Sequence, residues 1–492
     1  MRVLCCVVLC ALLLSLMTHS LTHSLRHLGT AVCVYLHGRL LLHVLAGVFR
    51  PSRDLSAAGC WRPVDEHTLF MSYSVAKGVT AMALLALVDQ GLVRYEDRVA
   101  ELWPEFGAGG TSKHSVTVGD AVSHRAGLGS FIPFSLQVVL SCIRGHWAGD
   151  WRVAWSAGER FVEDHVPEFA VGAYARYHPV SFSWIIGGIL QRVLHRQRQS
   201  EGNTKGEGEE KDSVHSLSVS DIVKDTVGEL CGCRSDVFIG VLTPDEQSRV
   251  ALLEPMPPAH YEAPNRMSEL RALDSLLALR PLRALPSFLL QFIVTVVYFF
   301  LSLLAELEGC IFTAVGNSSV WRGICLPSSN GYFTAQAVAA MYGALANGGV
   351  VEVTGSGKRN VADVTAEQSG NTTRQVRVFR EETVERIFAD AADHECSVPM
   401  YDCHTDSASW GRHSKGFSPW PLPTLHGEQY MHHTLGHQGM GGCSSFGCAE
   451  TGLAVCIMRN VYDPLIISEG AVKLDDGLLS EVIREVLFGD GN

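Results

Sequence analysis

Charge is scarce in this chain: 18% of its 492 residues are Asp, Glu, Lys or Arg, and acids outnumber bases to leave a net charge of −12. That balance argues against a nucleic-acid partner, since phosphate binding needs a basic surface. No basic helix, Cys/His finger or aromatic RNA motif reverses it. No Gly-x-Ser-x-Gly elbow occurs, which removes the α/β-hydrolase route to a nucleophilic serine. His-Glu-x-x-His is absent as well. Lysine is sparse. Of eight, only Lys77 has a serine three residues before it.

That serine is Ser74, in Phe70-Met71-Ser72-Tyr73-Ser74-Val75-Ala76-Lys77. Residues i and i+3 share a helix face, so the Lys77 amine reaches the Ser74 hydroxyl. A serine becomes a nucleophile when a base takes its proton, and a desolvated lysine of lowered pKa is such a base. The same spacing also describes an ordinary helix start, with serine as the cap and lysine in solvent. The residues downstream bear on the choice. Met82, Leu84, Leu85, Leu87 and Val88 make Val79 to Gln90 apolar nearly all round, a buried helix stopped by Gly91. A lysine at the first turn of a buried helix needs a polar partner.

The length suits one large domain or two ordinary ones, and 47% hydrophobic residues describe a globular chain with some membrane character. Met1 to Met17 reads as a signal sequence, with Arg2 ahead of the apolar Val3 to Leu16 and Thr18-His19-Ser20 as the cleavage region; an uncleaved anchor is the competing reading. Localisation in the secretory pathway or at a membrane follows from either. Three of 15 cysteines lie in that segment, leaving twelve for disulfides in an oxidising compartment, with no spacing that fixes pairs. Asn317-Ser318-Ser319 and Asn371-Thr372-Thr373 are glycosylation sequons.

Thr30 to His37 and Leu40 to Val48 read as a hairpin. Phe182 to Leu194 and Thr334 to Ala346 read as core helices, Thr434 to Asn460 as strands around glycine turns, and Gly477 to Leu487 as a closing helix. Polar insertions are expected at Gln197 to Ser213 and Gly355 to Thr373. Residues 267–306 form a third insertion. Met267 to Arg283 carries leucines at helical spacing with arginines, and Phe288 to Leu304 is almost wholly apolar. One crossing there would separate Ser74 from everything after residue 305. A helix on or dipping into the bilayer is therefore expected, with a buried core helix as the alternative.

Two further pieces of chemistry stand out. Tyr177, in Tyr174-Ala175-Arg176-Tyr177-His178-Pro179, sits just before a helix, where its hydroxyl would project from a loop and share a proton with Lys77; a packing tyrosine is the bland alternative. Gly436-His437-Gln438-Gly439-Met440-Gly441-Gly442 reads as a strand stripped of side-chain bulk, against which substrate lies. The Met440 and Ser74 N–H groups would form an oxyanion hole, and His437 would line the pocket. A glycine-rich turn, or a metal site built with His432, His433, Glu428 and Cys443, are the alternatives.

These stretches resemble the serine β-lactamase-related family of class C β-lactamases, penicillin-binding-protein-like D-alanyl peptidases and their esterase relatives. Ser74-Val75-Ala76-Lys77, His124-Arg125-Ala126-Gly127-Leu128, Tyr177-His178 and His437-Gln438-Gly439 occur in the family's order, and Ala346-Asn347-Gly348-Gly349 also fits. The resemblance runs from about Leu28 to Leu487, a single catalytic domain of residues 28–487 interrupted by the insertions and preceded by residues 1–20. It implies an α/β (α+β) β-lactamase/DD-transpeptidase-like fold, an antiparallel sheet flanked by helices with an inserted, mainly helical region.

The resemblance also implies roles. Ser74 would be acylated, Lys77 and Tyr177 would shuttle its proton, and His178, His437 and Gly439 would contact substrate, without cofactor or metal. Two departures narrow the substrate. Tyr177-His178-Pro179 replaces Tyr-x-Asn, so the amide that grips a β-lactam side chain is missing, and His437 replaces the strand lysine that holds a carboxylate. Both point to small ester, amide or peptide substrates rather than antibiotics. The alternative from another class is a silent, membrane-associated scaffold of the same fold, against which the complete set of Ser74, Lys77 and Tyr177 speaks.

Overall fold

The computed structural model describes residues 29–50, 61–109, 111–129, 150–201, 213–255, 313–354, 363–364, 373–392, 398–401, 412–419 and 434–462. Met1 to Met17, the Phe288 segment, the core of the other two insertions and Gly477 to Leu487 lie outside the described residues. Among the described residues no helix is long and apolar enough to cross a membrane.

The first two strands, β1 (Gly29–Leu36) and β2 (Arg39–Phe49), form the expected hairpin. His37 and Gly38 take φ of 49° and 71° at its tip, the mirror-image turn that matches the right-handed twist of the strands. Three more strands, β3 (Thr434–Gln438), β4 (Ser444–Cys448) and β5 (Leu453–Arg459), complete the core of a seven-stranded antiparallel sheet. Its order is Ser418–Pro419, β3, β4, β5, β1, β2, Arg62–Pro63. The beginning and end of the described chain therefore meet in one sheet, with Cys33 opposite Cys456.

Period-two alternation divides these strands. Ala31, Cys33 and Tyr35 of β1, with Ala454, Cys456 and Met458 of β5, join the main core; Val32, Val34, Val455 and Ile457 bury in a second cluster on the other face. Apolar residues on both faces explain why the strands read as near-continuous apolar runs.

Three helices matter for the site: α1 (Val75–Asp89), α2 (Phe182–Ser200) and α3 (Ala335–Ala346). Helix α3 starts where Thr334 accepts the Ala337 N–H at 3.2 Å, and it packs across β1, β4 and β5. Helix α1 begins four residues earlier than the apolar pattern indicates, because Ser74 is already in the α region (φ −70°, ψ −8°) and Val75 and Ala76 are buried. It ends at Asp89, with Gly91 left-handed (φ 74°). Helix α2 runs six residues past Leu194. Its extension is made of good helix formers, and Arg198 in the last turn suits the dipole. The polar insertion therefore begins beyond Ser200, not at Gln197.

A small second sheet feeds the active centre: Val237–Ile239, Gly331–Phe333, Leu69–Met71 and Val250–Ala251, in that order. The chain leaves Leu69–Met71 and turns straight into α1.

The cysteines depart from the disulfide expectation. Cys33, Cys231, Cys233, Cys325, Cys443, Cys448 and Cys456 are free and buried, and the other five downstream of the leader lie outside the described residues. Burial pushes the Cys231 and Cys325 thiols up to about 12, which makes them inert core groups. Asn317 of the first sequon exchanges two 2.8 Å hydrogen bonds with the Leu253 backbone, so its amide is engaged within the fold.

Candidate active site

The Ser74 turn is held by the small sheet. Ser72 donates its N–H to Gly331 O at 2.8 Å, and Tyr73 bridges to Asn330. Tyr73 has φ 46°, a left-handed conformation that costs a bulky residue about 1–3 kcal/mol and persists where the surroundings over-determine it. Its buried ring, 5.9 Å from that of Tyr462, supplies the packing. Ser74 follows as the N-cap of α1, half-buried, and makes no side-chain capping bond. The helix-cap reading of this serine is therefore wrong.

Lys77 is fully buried. Its Nζ lies 3.2 Å from Ser74 Oγ, 3.0 Å from Pro179 O and 2.8 Å from Ser328 O. Burial holds its pKa well below the ordinary lysine value. A neutral amine has two N–H groups and one lone pair. The two carbonyls take both N–H groups, so the lone pair is left for the Ser74 hydroxyl.

Tyr177 stands beside this amine. Lys77 Nζ lies 4.7 Å from the centre of its ring, and His124 (4.9 Å) and His437 (6.4 Å) flank the same ring. The structure thus gathers Ser74, Lys77, Tyr177 and His437 into one place. The loop at residues 124–128 carries the Tyr177 segment: Arg176 N–H donates to His124 O at 3.0 Å, and Ser181 Oγ to Leu128 O at 2.5 Å.

His178 requires a correction. Expected to contact substrate, it is fully buried, and both ring nitrogens are engaged by backbone. Its Nδ1 pairs with Arg176 O at 2.5 Å, and Nε2 accepts the Leu128 N–H at 3.1 Å. Only a neutral ring with the proton on Nδ1 satisfies both. Burial pushes its pKa down to about 4. The residue ties the loop to the Tyr177 segment.

Strand β3 closes the site from the other side. A Cβ at Gly78 would lie 3.2 Å from His437 Cβ, so the strand runs along the first turn of α1. His437 is buried, with Nδ1 at 2.7 Å from Gln438 O. A Cβ at Gly439 would lie 2.1 Å from Ser72 O, a backbone atom that cannot swing aside. Only glycine allows the strand end to lie against the nucleophile turn, one residue before Met440. Gly439→Ala is expected to lower kcat/KM about 100-fold with little change in soluble yield, because a shift of about 1 Å suffices for such a loss. Steady-state kinetics beside a thermal melt checks this, and unchanged kcat/KM would remove β3 from the reaction. The metal alternative's His432, His433 and Glu428 lie outside the described residues.

Sequence reasoning missed Ser328 and the carbonyl of Pro179. Both act through backbone oxygen atoms, which residue type does not reveal. Pro179 reads in sequence only as the loss of an amide. A buried lysine's need for acceptors is the one available signal, and it does not say where they are.

The Beta-lactamase family model covers residues 17–202. The chain is similar to the Esterase/beta-lactamase LipL of Mycobacterium tuberculosis (strain ATCC 25618 / H37Rv), 26% identical over 450 residues that make up 90% of this chain and 80% of that one. Among solved structures it shares its fold with a family VIII carboxylesterase (TM-score 0.56, 23% identity, 91% and 90% of the two chains). It shares it also with EstA from Arthrobacter nitroguajacolicus Rue61a (TM-score 0.60, 16% identity, 98% and 97%).

Proposed function

We propose that the chain is a serine β-lactamase-related hydrolase that cleaves small esters through an acyl-enzyme on Ser74, a reading supported by the Beta-lactamase family model over residues 17–202 and the similarity to LipL. The observation that carries this is the buried Lys77 amine, whose Nζ lies 3.2 Å from Ser74 Oγ and within hydrogen-bonding distance of two carbonyls, so that in its neutral form the lone pair is left for the Ser74 hydroxyl. Lys77 takes the hydroxyl proton as Oγ attacks the ester carbonyl carbon. The negative charge that develops on the carbonyl oxygen is met by the Ser74 and Met440 N–H groups, fixed before the reaction begins. The proton then passes to the departing alkoxide, from Lys77 or by way of Tyr177. Water attacks the acyl-enzyme carbonyl, gives its proton to the same pair, and frees the acid and Ser74.

Ester cleavage is supported by the name Esterase/beta-lactamase LipL, which covers both reactions, and by Esterase EstB of Burkholderia gladioli, 33% identical over 107 residues that make up 21% of this chain and 25% of that one. It is supported too by Pro179 and His437, where an amide and a lysine would serve a β-lactam substrate. Amide or peptide substrates are the related possibility. A secreted or membrane-adjacent enzyme is our reading of Met1 to Met17 and Phe288 to Leu304.

The test is labelling and turnover. Wild-type protein is expected to react with a fluorophosphonate probe and to hydrolyse short p-nitrophenyl esters; Ser74→Ala is expected to do neither. Persistent labelling of that variant would sink the assignment of Ser74. Wild-type protein inert in both assays would instead favour the silent scaffold.

A further inference from the structure

The two carbonyls that receive the Lys77 N–H groups come from distant parts of the chain, Pro179 ahead of α2 and Ser328 ahead of Gly331–Phe333. One pair of hydroxyls joins them. Ser183, in the first turn of α2, accepts the Ser328 N–H at 3.0 Å and donates its own proton to Ser328 Oγ at 2.7 Å. Ser328 Oγ lies 3.4 Å from Val180 O, to which it donates, and 2.9 Å from Ser329 Oγ. Val180 directly follows Pro179. The peptide bearing one acceptor is thus held to the segment bearing the other.

We propose that Ser183 and Ser328 are positioning residues for the reaction, a two-hydroxyl clasp that sets both carbonyls as a unit and so aims the Lys77 lone pair at Ser74. This rests on the serine-hydrolase reading above. Neither hydroxyl serves solubility, since both side chains are fully buried. Desolvating two hydroxyls costs free energy unless each finds partners. Alanine, well suited to the start of an apolar helix, would avoid that cost. What the serines add is a fixed orientation for the Ser328 peptide, whose N–H faces Ser183 while its C=O faces Lys77. The hydroxyls bond to each other, to the Ser328 N–H, to Val180 O and to Ser329 Oγ, and none of these bonds goes to Ser74, so they act through the carbonyls that hold Lys77.

The experiment is ester hydrolysis across pH by wild type, Ser183→Ala, Ser328→Ala and the double variant, with unfolding midpoints measured alongside. Ser183→Ala is expected to lower kcat about 10-fold or more with KM within about twofold, because a misaimed base slows the chemical step and not binding. The acid limb of the kcat/KM profile moves to lower pH, as the ammonium form loses part of an acceptor. Tyr177 and His178 lie near the same amine and, like His437 beside Tyr177, are present in every variant. The double variant is expected to lose no more than Ser183→Ala alone, since one clasp is broken in either case. Ser183→Thr, which keeps the hydroxyl, should retain the acid limb.

Wild-type kcat in Ser183→Ala, losses that multiply in the double variant, or a slower rate with an unmoved acid limb would each overturn the proposal. Ser328→Ala removes only the far hydroxyl and carries the same test should Ser183→Ala fail to fold. A wild-type protein that turns over through Ser74 keeps the hydrolase reading whatever the clasp variants do.

Discussion

Lys77→Met is expected to lower kcat/KM for a short p-nitrophenyl ester by about 10³–10⁴-fold, toward the top of the range for loss of a general base. The residue is the buried amine whose Nζ lies 3.2 Å from Ser74 Oγ, so its loss removes the group placed to take the hydroxyl proton first. Methionine reaches as far as the lysine Cε and fills most of the space, which separates lost chemistry from lost packing. Fluorophosphonate labelling of Ser74 should slow in step with turnover, because both begin with the same proton transfer. Full labelling at the wild-type rate would show that Ser74 does not depend on Lys77.

The same variant reports the protonation state of the wild-type lysine without any substrate. Burial lowers the folded-state pKa of Lys77, while an unfolded chain returns it to about 10.5. Between those two values the unfolded state holds a proton that the folded state lacks, so stability rises with pH. Wild type should therefore gain on Lys77→Met by about 1.4 kcal/mol per pH unit through that window, and the gain should level off above the unfolded pKa. Urea unfolding at several alkaline pH values measures the gap. A gap independent of pH would mean a lysine that stays charged when folded, and an ammonium cannot serve as the base.

How far the sequence foretold these details differs from residue to residue. The opening hairpin, the helix ending in Asn347-Gly348-Gly349 and the late strands were legible, because turn residues and apolar runs mark them. The gathering of Ser74, Lys77 and Tyr177 was legible only through motif order, since i and i+3 bring two of them together but no local rule brings the third. The start of α1 was not legible: Val75 and Ala76 extend the apolar run without a cap to mark its edge, as Ser74 uses its hydroxyl elsewhere. His178 was misassigned because a histidine beside a candidate catalytic tyrosine looks the same in sequence whether its ring faces substrate or backbone. The carbonyls of Pro179 and Ser328 were invisible, since every residue has one. Tertiary contact selects which of them meets the lysine.

His178 yields the second large effect, one of stability. As pH falls from about 6.5 to about 4 the protein is expected to lose about 3 kcal/mol through this residue. The sign follows from its environment. Burial disfavours the charged ring, the Arg176 carbonyl opposes that in part, and the nearby Lys77 adds to it. In this window the unfolded chain binds the proton that the folded one refuses, so stability is complete above about 6.5 and falls away on acidification. Charging the ring would also put a proton on Nε2, which now accepts the Leu128 N–H at 3.1 Å, and turn that hydrogen bond into a clash of donors. The tie between the residue 124–128 loop and the segment bearing Tyr177 would then part. Loss of activity in acid should accordingly precede global unfolding. In His178→Gln the dependence of unfolding free energy on pH between 4 and 6.5 should flatten by close to one proton. An unchanged slope in that variant would place the acid lability elsewhere, and a ring proton titrating near 6.5 in the folded protein would show that His178 is not confined as the structure has it.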